Sequence, residues 1–591
     1  MNISLIDWGI ILAFFVISML IGVYTSKKAG KSAKEFFLSG RNMPWWLLGV
    51  SMVATTFSAD TPNLVTDIVR KDGVSGNWVW WAFLLTGMLT VFVYAKLWRR
   101  SEVTTDLEFY ELRYGGKPAA FLRAFRALYL GVFFNVVIMA TVSLAAIKIG
   151  GVMLGLSPVE TLLIASVVTV IYSSLGGLKG VLLTDFFQFF IAMAGAIGAA
   201  IYVLDMPEIG SLDNLLTHPN VSDKLDFFPD FNNWNLVVPL LIMPLAIQWW
   251  ATWYPGAEPG GGGYIAQRML SAKDEKNAIG ATLFFNIAHY GIRPWPWIII
   301  ALSSLIIFPN VSDMQEAFPH IPVDKLGNDL AYSAMLTFLP TGLIGIVLAS
   351  LIAAVMSTLS THLNWGSSYV VNDFYLRFMK PEATDKELVM VGRISTVVLM
   401  VLAAFLALAL SNALEAFNIL LQIGAGTGMI FILRWFWWRI NAYTEIYAMI
   451  ISFLVAIFFE TINPKIGLIH IPEEMAYLKL LYGVGITTAG WILATLLTKP
   501  EKDAVLLSFY RKVRPASFGW KKVLDRYPDE KQEQGQLPME IGLMLVGSIM
   551  VYAVLFAVGF WIYGNIISAT IATMVATTGG FIIIKSWKNM R

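Results

Sequence analysis

A run of small and hydroxyl-bearing residues between Ala349 and Thr361 is the part of the sequence best suited to bind an ion. Ala354, Ser357, Thr358 and Thr361 lie at positions i, i+3, i+4 and i+7, so a helix would place them on one face. Hydroxyl and carbonyl oxygens suit hard cations such as alkali metal ions. The same pattern is also typical of a packing seam between membrane helices, and the residues alone leave both interpretations open.

Asp185 is a carboxylate that could complete such a site. It lies in the segment 176–188, a few residues inside a hydrophobic run. An ionised side chain within a membrane is costly and is functional by default, which favours a buried role. The alternative is that the side chain reaches the membrane interface near a helix end.

Two hydrophobic spans are interrupted at corresponding positions, one in each half of the chain. The first break is Ser-Ala-Asp-Thr-Pro at 58–62, and the second is Pro-Gly-Ala-Glu-Pro at 255–259, followed by four glycines. Such paired breaks are typical of secondary transporters, whose binding site lies where the helices are broken. We expect Asp60 and Glu258 to cap half-helices or to act in gating, rather than to bind an ion directly.

The composition predicts a membrane protein and excludes a soluble one. The chain is 57% hydrophobic and only 14% charged, and its mean hydropathy is +0.66. Hydrophobic run lengths predict about fifteen spans, among them 159–175 and 181–204. The first run begins at Leu5 without a basic leader, so we expect a retained span rather than a signal peptide. Because the chain has no cysteine, disulfides and cysteine-based metal centres are excluded.

The distribution of charge between the loops predicts the orientation. Two of the alternate loops, 205–230 and 313–329, are acidic. The other loops are basic and contain, among others, Lys27, Lys28, Arg99, Arg100, Arg268 and Lys273. The positive-inside rule then predicts a multi-pass plasma-membrane protein, in a bacterium the inner membrane, with its N-terminus outside and its C-terminus in the cytoplasm.

Polar and aromatic residues near the second break could contact a solute. Gln248 is followed by Trp249, Trp250, Trp253 and Tyr254. Aromatic rings and amides suit the C–H faces and hydroxyl groups of a sugar. Tryptophans also form belts at the membrane interface, which is the role that we expect for Trp78 near a span end.

A second group of polar residues follows at helical spacing. Asn286, His289 and Arg293 share one face of the next span, and Pro294 and Pro296 free carbonyls near Tyr290. Pairing of Arg293 with Glu258 or with a freed carbonyl is preferred to a contact with a solute. The full set of candidate substrate residues is Thr61, Gln248, Trp250, Trp253, Asn286, His289, Tyr290, Arg293 and Gln422. An interhelical hydrogen bond is the alternative for Gln422, and packing or gating is preferred to a proton role for His362.

Three segments carry a resemblance to a known family. The sequences at 172–188 and 264–273, and the hydroxyl-rich run continued to 372–375, resemble motifs of the sodium:solute symporter family. That family includes bacterial sodium–sugar, sodium–proline and sodium–sialic acid carriers. The resemblance covers most of the chain up to about residue 440 and weakens beyond it.

The resemblance implies an all-α polytopic membrane protein with a LeuT-type inverted five-helix repeat and extra flanking helices. The implied divisions are a core at 1–440 with an extra first helix and repeats near 45–204 and 237–438, additional membrane helices at 441–497, a cytoplasmic linker at 498–537, and a C-terminal hairpin at 538–591. The sequence of the hairpin suggests no function.

The resemblance also implies one or two co-transported sodium ions. The first ion would be bound by the carbonyls of Ala54, Phe57 and Ala354 and by the hydroxyls of Ser357 and Thr358. The second would be bound by Asp185, Ser357, Ser360 and Thr361. In sugar-carrying relatives a lysine lies near the position of Tyr290, which the tyrosine would not reproduce, so their substrate is not simply transferred.

The expected function is sodium-coupled import of a small polar solute, a sugar or sugar acid, by alternating access. The alternatives are a proton-coupled carrier, an amino-acid or organic-acid carrier of the same fold, or a sensor or channel built on it. No metal cluster or nucleophile constellation indicates an enzyme. The expected partners are the solute and the lipid bilayer, with no nucleic acid and no obligate protein partner.

Overall fold

The computed structural model describes residues 3–589. The ranges left out are 57, 253–257, 320, 322, 324–325, 411–423, 425, 473–474 and 531–535. Within the described residues the fold is helical, and the β-type pairing there is an isolated bridge between Met43 and Ala272. Eleven helices in this part of the chain are long and apolar enough to cross a membrane. The predicted all-α membrane class is therefore confirmed, while the count of about fifteen spans stays a prediction.

The helices are numbered here in chain order. Those of the first part are α1 (Leu5–Ala29), α2 (Trp45–Thr56), α3 (Asp60–Asp72), α4 (Val74–Ser101), α5 (Gly116–Leu154) and α6 (Pro158–Leu204). Those of the middle part are α7 (Trp234–Ala246), α8 (Gly263–Ser271), α9 (Glu275–Ile307), α10 (Leu343–Met379) and α11 (Asp385–Ala409). The last are α12 (Ala442–Ile466), α13 (Tyr477–Leu497), α14 (Asp503–Val513), α15 (Leu537–Ile562) and α16 (Ile566–Ser586). Short helices in the loops include Ala33–Leu38, Phe109–Arg113, Leu212–Thr217, Val311–Ala317 and Leu330–Leu336.

Helix α6 is too long for a single membrane crossing. Its 47 residues would extend about 70 Å as one straight helix, whereas the hydrocarbon core of a bilayer is about 30 Å thick. The helix bends at Gly177, whose φ of 54° and ψ of −162° are not helical. A Cβ atom there would lie 2.8 Å from the carbonyl oxygen of Phe36, so glycine permits both the bend and the close approach. The predicted spans 159–175 and 181–204 are the two arms of this bent helix.

Helix α10 forms the centre of the molecule. It packs along α6, while α2 packs against α6 and α9, and α1 covers α6 from outside. Most of α10 is buried, whereas α1, α12, α13 and α16 expose many large apolar side chains. Exposed apolar faces suit lipid, because in a bilayer the backbone polar groups are already satisfied within each helix. The hydroxyl-rich run of α10 therefore lies in the protein interior.

Both predicted breaks are present. Helix α2 ends at Thr56 and α3 begins at Asp60, so the last carbonyls of α2 are not followed by another helical turn. Helix α7 ends at Ala246, a short 3₁₀ turn covers Gln248–Trp250, and α8 begins at Gly263. The two breaks are the irregular backbone around which the candidate site is built.

Three helices lie in the last two divisions proposed from the sequence. Helix α14 falls within the segment 498–537, and its Phe509 packs on Phe109 and Trp435. Helices α15 and α16 form the predicted hairpin. The boundaries of the four divisions remain a proposal.

Candidate functional site

Asp185 lies at the meeting point of three helices. Its side chain is fully buried on α6. Oδ2 accepts a hydrogen bond from Ser51 Oγ on α2 at 2.5 Å, and Oδ1 accepts one from Ser357 Oγ on α10 at 2.7 Å. A carboxylate held by two hydroxyls presents four oxygen atoms within a small volume, which is a donor set suited to a hard cation.

An arginine from the second break shares this group. Arg268 on α8 is fully buried, and its Nη2 lies 3.7 Å from Asp185 Oδ2. The same guanidinium donates to Ser51 Oγ at 3.1 Å and to Thr361 Oγ1 at 2.8 Å. Arg268 was expected to be a loop cation, and that expectation is wrong. We call Asp185, Ser51, Ser357, Thr361 and Arg268 the Asp185 cluster.

The C-terminal end of α2 packs against α10 next to the Asp185 cluster. Thr358 Oγ1 donates to the carbonyl oxygen of Thr55 at 2.8 Å, and Thr55 Oγ1 lies 2.9 Å from Thr361 Oγ1. Ala54 is buried beside them, and Ala354 lies one turn before Thr358 on α10. The structure therefore brings the first predicted ion set to one place, except that Phe57 lies outside the described residues.

The second predicted ion set is assembled in part. Asp185 and Ser357 are in direct contact, and Thr361 joins them through Arg268. Ser360 is buried beside them, but its hydroxyl donates to the carbonyl oxygen of Ser357 at 3.0 Å within its own helix. Whether sodium occupies either set stays a prediction.

Several of the candidate solute residues meet at the contact between α4 and α9. Tyr290 stacks on Trp80 with ring centroids 5.8 Å apart and an angle of 25°, and His289 lies edge-on to Tyr290 at 4.5 Å. We call Trp80, His289 and Tyr290 the aromatic wall. Gln248 reaches the same region, because its Nε2 donates to the carbonyl oxygen of Val79 at 2.7 Å. Asn286 is buried one turn before Tyr290 and donates to the carbonyl oxygen of Thr282 at 2.8 Å.

Arg293 contacts the last turn of α2, just before the first break. Its Nη1 donates to the carbonyl oxygen of Val53 at 3.2 Å, and its guanidinium lies 4.9 Å from the ring centroid of Trp297. The expectation that it pairs with a carbonyl fits this contact, although the carbonyl belongs to α2 rather than to its own helix. The alternative pairing with Glu258 is wrong, because Glu258 lies beside Arg126 and Arg434.

The remaining candidate solute residues are not shown in contact with the aromatic wall. Thr61 lies in the first turn of α3, where its backbone N–H donates to the carbonyl oxygen of Ser58 at 3.2 Å. Trp250 closes the 3₁₀ turn before the second break and lies 5.4 Å from Trp249. Trp253 and Gln422 lie outside the described residues.

Comparison with known proteins identifies the family. Residues 36–452 match the sodium:solute symporter family. The chain belongs to the sodium:solute symporter family. It is 25% identical over 480 residues to the sodium/glucose cotransporter of Vibrio parahaemolyticus, an alignment that covers 77% of this chain and 85% of that protein. It is also 25% identical over 474 residues to the sodium/sialic acid symporter of Proteus mirabilis, covering 76% of this chain and 89% of that one.

A solved structure shows the same fold. A Na⁺-coupled sialic acid symporter in a substrate-bound outward-open state superposes with a TM-score of 0.66 at 20% identity, covering 85% of this chain and 99% of that chain. The expected LeuT-type fold is therefore confirmed. The proteins matched within the sodium:solute symporter family are transporters, not enzymes.

Within this symporter fold, Glu258 is surrounded by arginines. It is buried and forms ion pairs with Arg126 Nη2 and, at 3.4 Å, with Arg434 Nη2. Arg434 Nη1 lies 3.6 Å from Glu445 Oε1, which also accepts a hydrogen bond from Tyr114 at 2.6 Å. We call Glu258, Arg126, Arg434 and Glu445 the Glu258 cluster. It joins the second break to α5 and α12, which supports gating rather than ion binding for Glu258.

Glu258 and Arg126 also line a small cavity. Its volume is about 70 Å³, and Thr252, Phe431 and Ser452 are among the other residues of its wall. Asp60, the corresponding acid of the first break, lies in the first turn of α3, where a carboxylate interacts favourably with the helix dipole, and its Oδ1 is buried without a hydrogen-bond partner among the described residues. The two acids at the breaks therefore differ in their surroundings.

Sequence reasoning missed three polar residues of the site, Ser51, Thr55 and Arg268. Ser51 and Thr55 are four residues apart on α2, a spacing that could have indicated a second polar face opposite the hydroxyl run. Arg268 stands in a segment already noticed for its resemblance to the family. Its depth could not be read from loop charge alone, because α8 starts inside the protein and not at its surface.

Proposed function

We propose that this protein is a sodium-coupled symporter that imports a small polar solute by alternating access. The observation that supports this most is the Asp185 cluster, where a buried carboxylate and hydroxyls from α2 and α10 meet beside a broken helix. Relatives named as sodium/glucose and sodium/sialic acid carriers support sodium as the coupling ion.

Sodium and Arg268 would compete for Asp185. Without sodium, the guanidinium at 3.7 Å offsets the charge of the carboxylate. A sodium ion bound by Asp185, Ser357 and neighbouring oxygens would take over this role and free Arg268 to leave α2 and α10. Because Arg268 lies on α8, just after the second break, ion binding is thereby linked to the position of that half-helix. Each sodium that crosses about 100 mV supplies about 2.3 kcal/mol for solute accumulation.

The solute class that we propose is a sugar or a sugar acid. The aromatic wall brings three rings together, and the Gln248 amide lies beside them, a combination of groups that suits a pyranose ring. Arg293, which lies at the first break, is the group that would bind a carboxylate of the solute. We further propose that the N-terminus lies outside and the C-terminus in the cytoplasm, as the charges of the loops indicate.

The test is uptake into proteoliposomes, preceded by a thermal-shift screen against sugars and sugar acids. We expect stabilisation by sodium over potassium, and uptake that needs an inward sodium gradient. Uptake that is equal in potassium and driven by a proton gradient would overturn sodium coupling. For the solute, Arg293→Gln should raise the half-saturation constant of an acidic sugar ten- to a hundredfold more than that of its neutral analogue, because a lost charge-assisted bond is worth about 1.5–3 kcal/mol. Equal effects on both would remove Arg293 from the solute site.

A further inference from the structure

Helix α15 of the C-terminal hairpin packs directly behind the aromatic wall. A Cβ atom on Gly547 would lie 2.8 Å from Met88 Sδ and 2.9 Å from Phe92, both on α4. A Cβ atom on Gly291 of α9 would lie 2.9 Å from Val554 Cγ1 of α15. Glycines on each side of the interface therefore allow α15 to approach α4 and α9 closely, as small residues do between membrane helices.

Hydrogen bonds fix this contact at two points. Tyr552 OH of α15 donates to the carbonyl oxygen of Trp81 at 2.9 Å. Trp295 Nε1 of α9 donates to the carbonyl oxygen of Leu555 at 2.9 Å. Each bond joins a side chain of one helix to the backbone of the other segment. Register between α15 and the two helices is thus specified by bonds and not only by packing.

An ion pair and an aromatic cluster extend the contact in both directions. Lys96 of α4 and Glu540 of α15 form a buried salt bridge. Trp78 lies 5.1 Å from the ring of Tyr552, and its Nε1 donates to the carbonyl oxygen of Phe227 at 2.8 Å. Trp78 is buried, so the expectation that it belongs to an interfacial belt is wrong. It is part of the seam that holds α15.

The part of α9 that faces α15 is a π-helical segment, Ile287–Ile292. A π segment inserts an extra residue into an α-helix and changes the face on which the following side chains lie, and it occurs frequently at functional sites. Here the segment contains His289 and Tyr290 of the aromatic wall. Gly291, which has no side chain, packs against Val554. Trp80, the other member of the wall, precedes Trp81, whose carbonyl Tyr552 holds.

We propose that α15 is a brace that sets the geometry of the aromatic wall, with Tyr552 and Val554 as positioning residues for the solute. The proposal rests on the proposed function in that the wall is taken to stack on a sugar ring. The C-terminal hairpin lies beyond residues 36–452, over which the chain matches its family. The brace therefore gives a segment outside the residues matched to the family control over solute affinity.

Hydrogen exchange on the full-length protein in lipid nanodiscs tests the brace without any solute. Tyr552→Phe removes one hydroxyl and keeps the ring, so the fold is preserved. We expect the amides of 78–82 and 287–292 to exchange two- to tenfold faster, the change that loss of one hydrogen bond permits. The matched control is Tyr563→Phe, since the buried Tyr563 hydroxyl at the end of the same helix has no hydrogen-bond partner among the described residues. Equal exchange in these segments in both variants would overturn the brace.

A second pair of variants applies a larger perturbation. Gly547→Leu forces α15 away from Met88 and Phe92, whereas Gly542→Leu makes the same change on the same helix where nothing lies within 4 Å of the new Cβ. Gly547→Leu should accelerate exchange at 287–292, and Gly542→Leu should leave it at the wild-type rate. Matching rates in the two variants would contradict the proposal.

Uptake then tests the consequence for the solute. With D-glucose and N-acetylneuraminate as probes, Tyr552→Phe should raise the half-saturation constant of the transported probe at least twofold and change that of sodium by less than twofold. A purely structural defect would lower maximal uptake and leave the solute constant unchanged, which would overturn the positioning role. If the wild-type protein shows no sodium-driven uptake of any sugar, the proposed function fails, and the exchange measurements still decide whether α15 holds the wall.

Discussion

Asp185 and Glu258 are both buried carboxylates near helix breaks, and they differ in the groups that satisfy them. Asp185 accepts hydrogen bonds from two hydroxyls, and its nearest cation, Arg268, stands 3.7 Å away. Glu258 lies between the guanidiniums of Arg126 and Arg434. The charge of Asp185 is offset by Arg268 at 3.7 Å, whereas the charge of Glu258 is offset by two guanidiniums.

The difference indicates which acid is available to an ion. A cation can take the place of Arg268 beside Asp185 and be bound by carboxylate and hydroxyl oxygens together. At Glu258 a cation would have to displace both Arg126 and Arg434, and Arg126 would then be buried without an ion-pair partner among the described residues, at a cost of several kcal/mol. Burial of a carboxylate therefore does not by itself mark an ion site, and the chemistry of its neighbours decides.

The largest expected effect follows from removing the charge of Glu258. Glu258→Gln leaves Arg126 without its ion-pair partner and Arg434 with Glu445 alone, and breaking a buried pair in this way costs about 3–5 kcal/mol. We expect a large drop in thermal stability and in the amount of folded protein, with the sodium half-saturation constant of the remaining carrier unchanged. Thermal unfolding and sodium-dependent uptake measure the two quantities.

A second substitution serves as the control for this prediction. In Glu258→Gln combined with Arg126→Gln, the unpaired buried charge is gone and stability should partly return. A shift in sodium affinity at normal stability would contradict the contrast, because it would make Glu258 an ion ligand.

The next largest effect is expected at Asp185. Asp185→Asn removes a charged ligand, and a charge-assisted interaction is worth about 1.5–3 kcal/mol. The sodium half-saturation constant for uptake should rise ten- to a hundredfold, or uptake should cease if this ion is obligatory. Unchanged sodium dependence would exclude Asp185 from the ion site.

Arg268→Gln should act in the opposite direction. It keeps the carboxylate and removes its competing cation, so sodium should bind more tightly and should raise the melting temperature by more than in the wild-type protein. A variant whose stability does not depend on sodium would contradict competition between Arg268 and the ion.

Those features of the site that depend on local sequence pattern could be predicted from the sequence. The hydroxyl face of α10, the two breaks and the buried Asp185 are each visible within a few residues, because helical spacing and helix-breaking residues are local properties. The contact between Asp185 and Ser357 agrees with the expectation that Asp185 lies beside the hydroxyl-rich run.

Pairings between distant residues could not be predicted in the same way. The sequence places Arg268 among the loop cations, because the charge of a residue does not indicate how deeply its side chain is buried. In the structure Arg268 lies in the core. The sequence analysis pairs Glu258 with Arg293 on α9, whereas in the structure its partner Arg126 lies on α5. The choice among several arginines is made by packing, for example by Phe109 and Phe431, on which the Arg434 guanidinium stacks.

A smaller effect is expected from the hydroxyl that faces the first break. Thr358→Ala removes the Oγ1 that donates to the carbonyl oxygen of Thr55 at 2.8 Å. One neutral hydrogen bond or ligand is worth about 0.5–1.5 kcal/mol, so the sodium half-saturation constant should rise roughly two- to tenfold. Thr396→Ala is the matched control, since Thr396 is buried on α11 and donates within its own helix to Gly392. Equal sodium constants in the two variants would remove Thr358 from the ion site.

The smallest effect concerns Glu111, which has two arginine partners as Glu258 does but lies in a loop. Arg377 donates to both of its carboxylate oxygens at 2.9 Å, and Arg123 donates at 2.8 Å. Partial burial raises the pKa of Glu111, but the hydrogen bonds from Arg377 and Arg123 outweigh it and hold the pKa below its usual value of 4.5. A lowered pKa contributes stability that is fully present above pH 4.5 and is lost as the pH falls through the lowered value.

Arg377→Gln should therefore cost little, because an ion pair in contact with water is worth only about 0.2–1 kcal/mol. At pH 7 we expect the melting temperature to fall by about 1–2 °C, and the difference from the wild-type protein should shrink only below pH 4.5. Thermal unfolding at pH 7, 5 and 4 measures both. A loss of stability at pH 7 as large as that of Glu258→Gln would show that breaking an ion pair at the partly buried Glu111 costs as much as breaking one in the core. A small loss would show that burial, which separates Glu258 from Glu111, sets the cost.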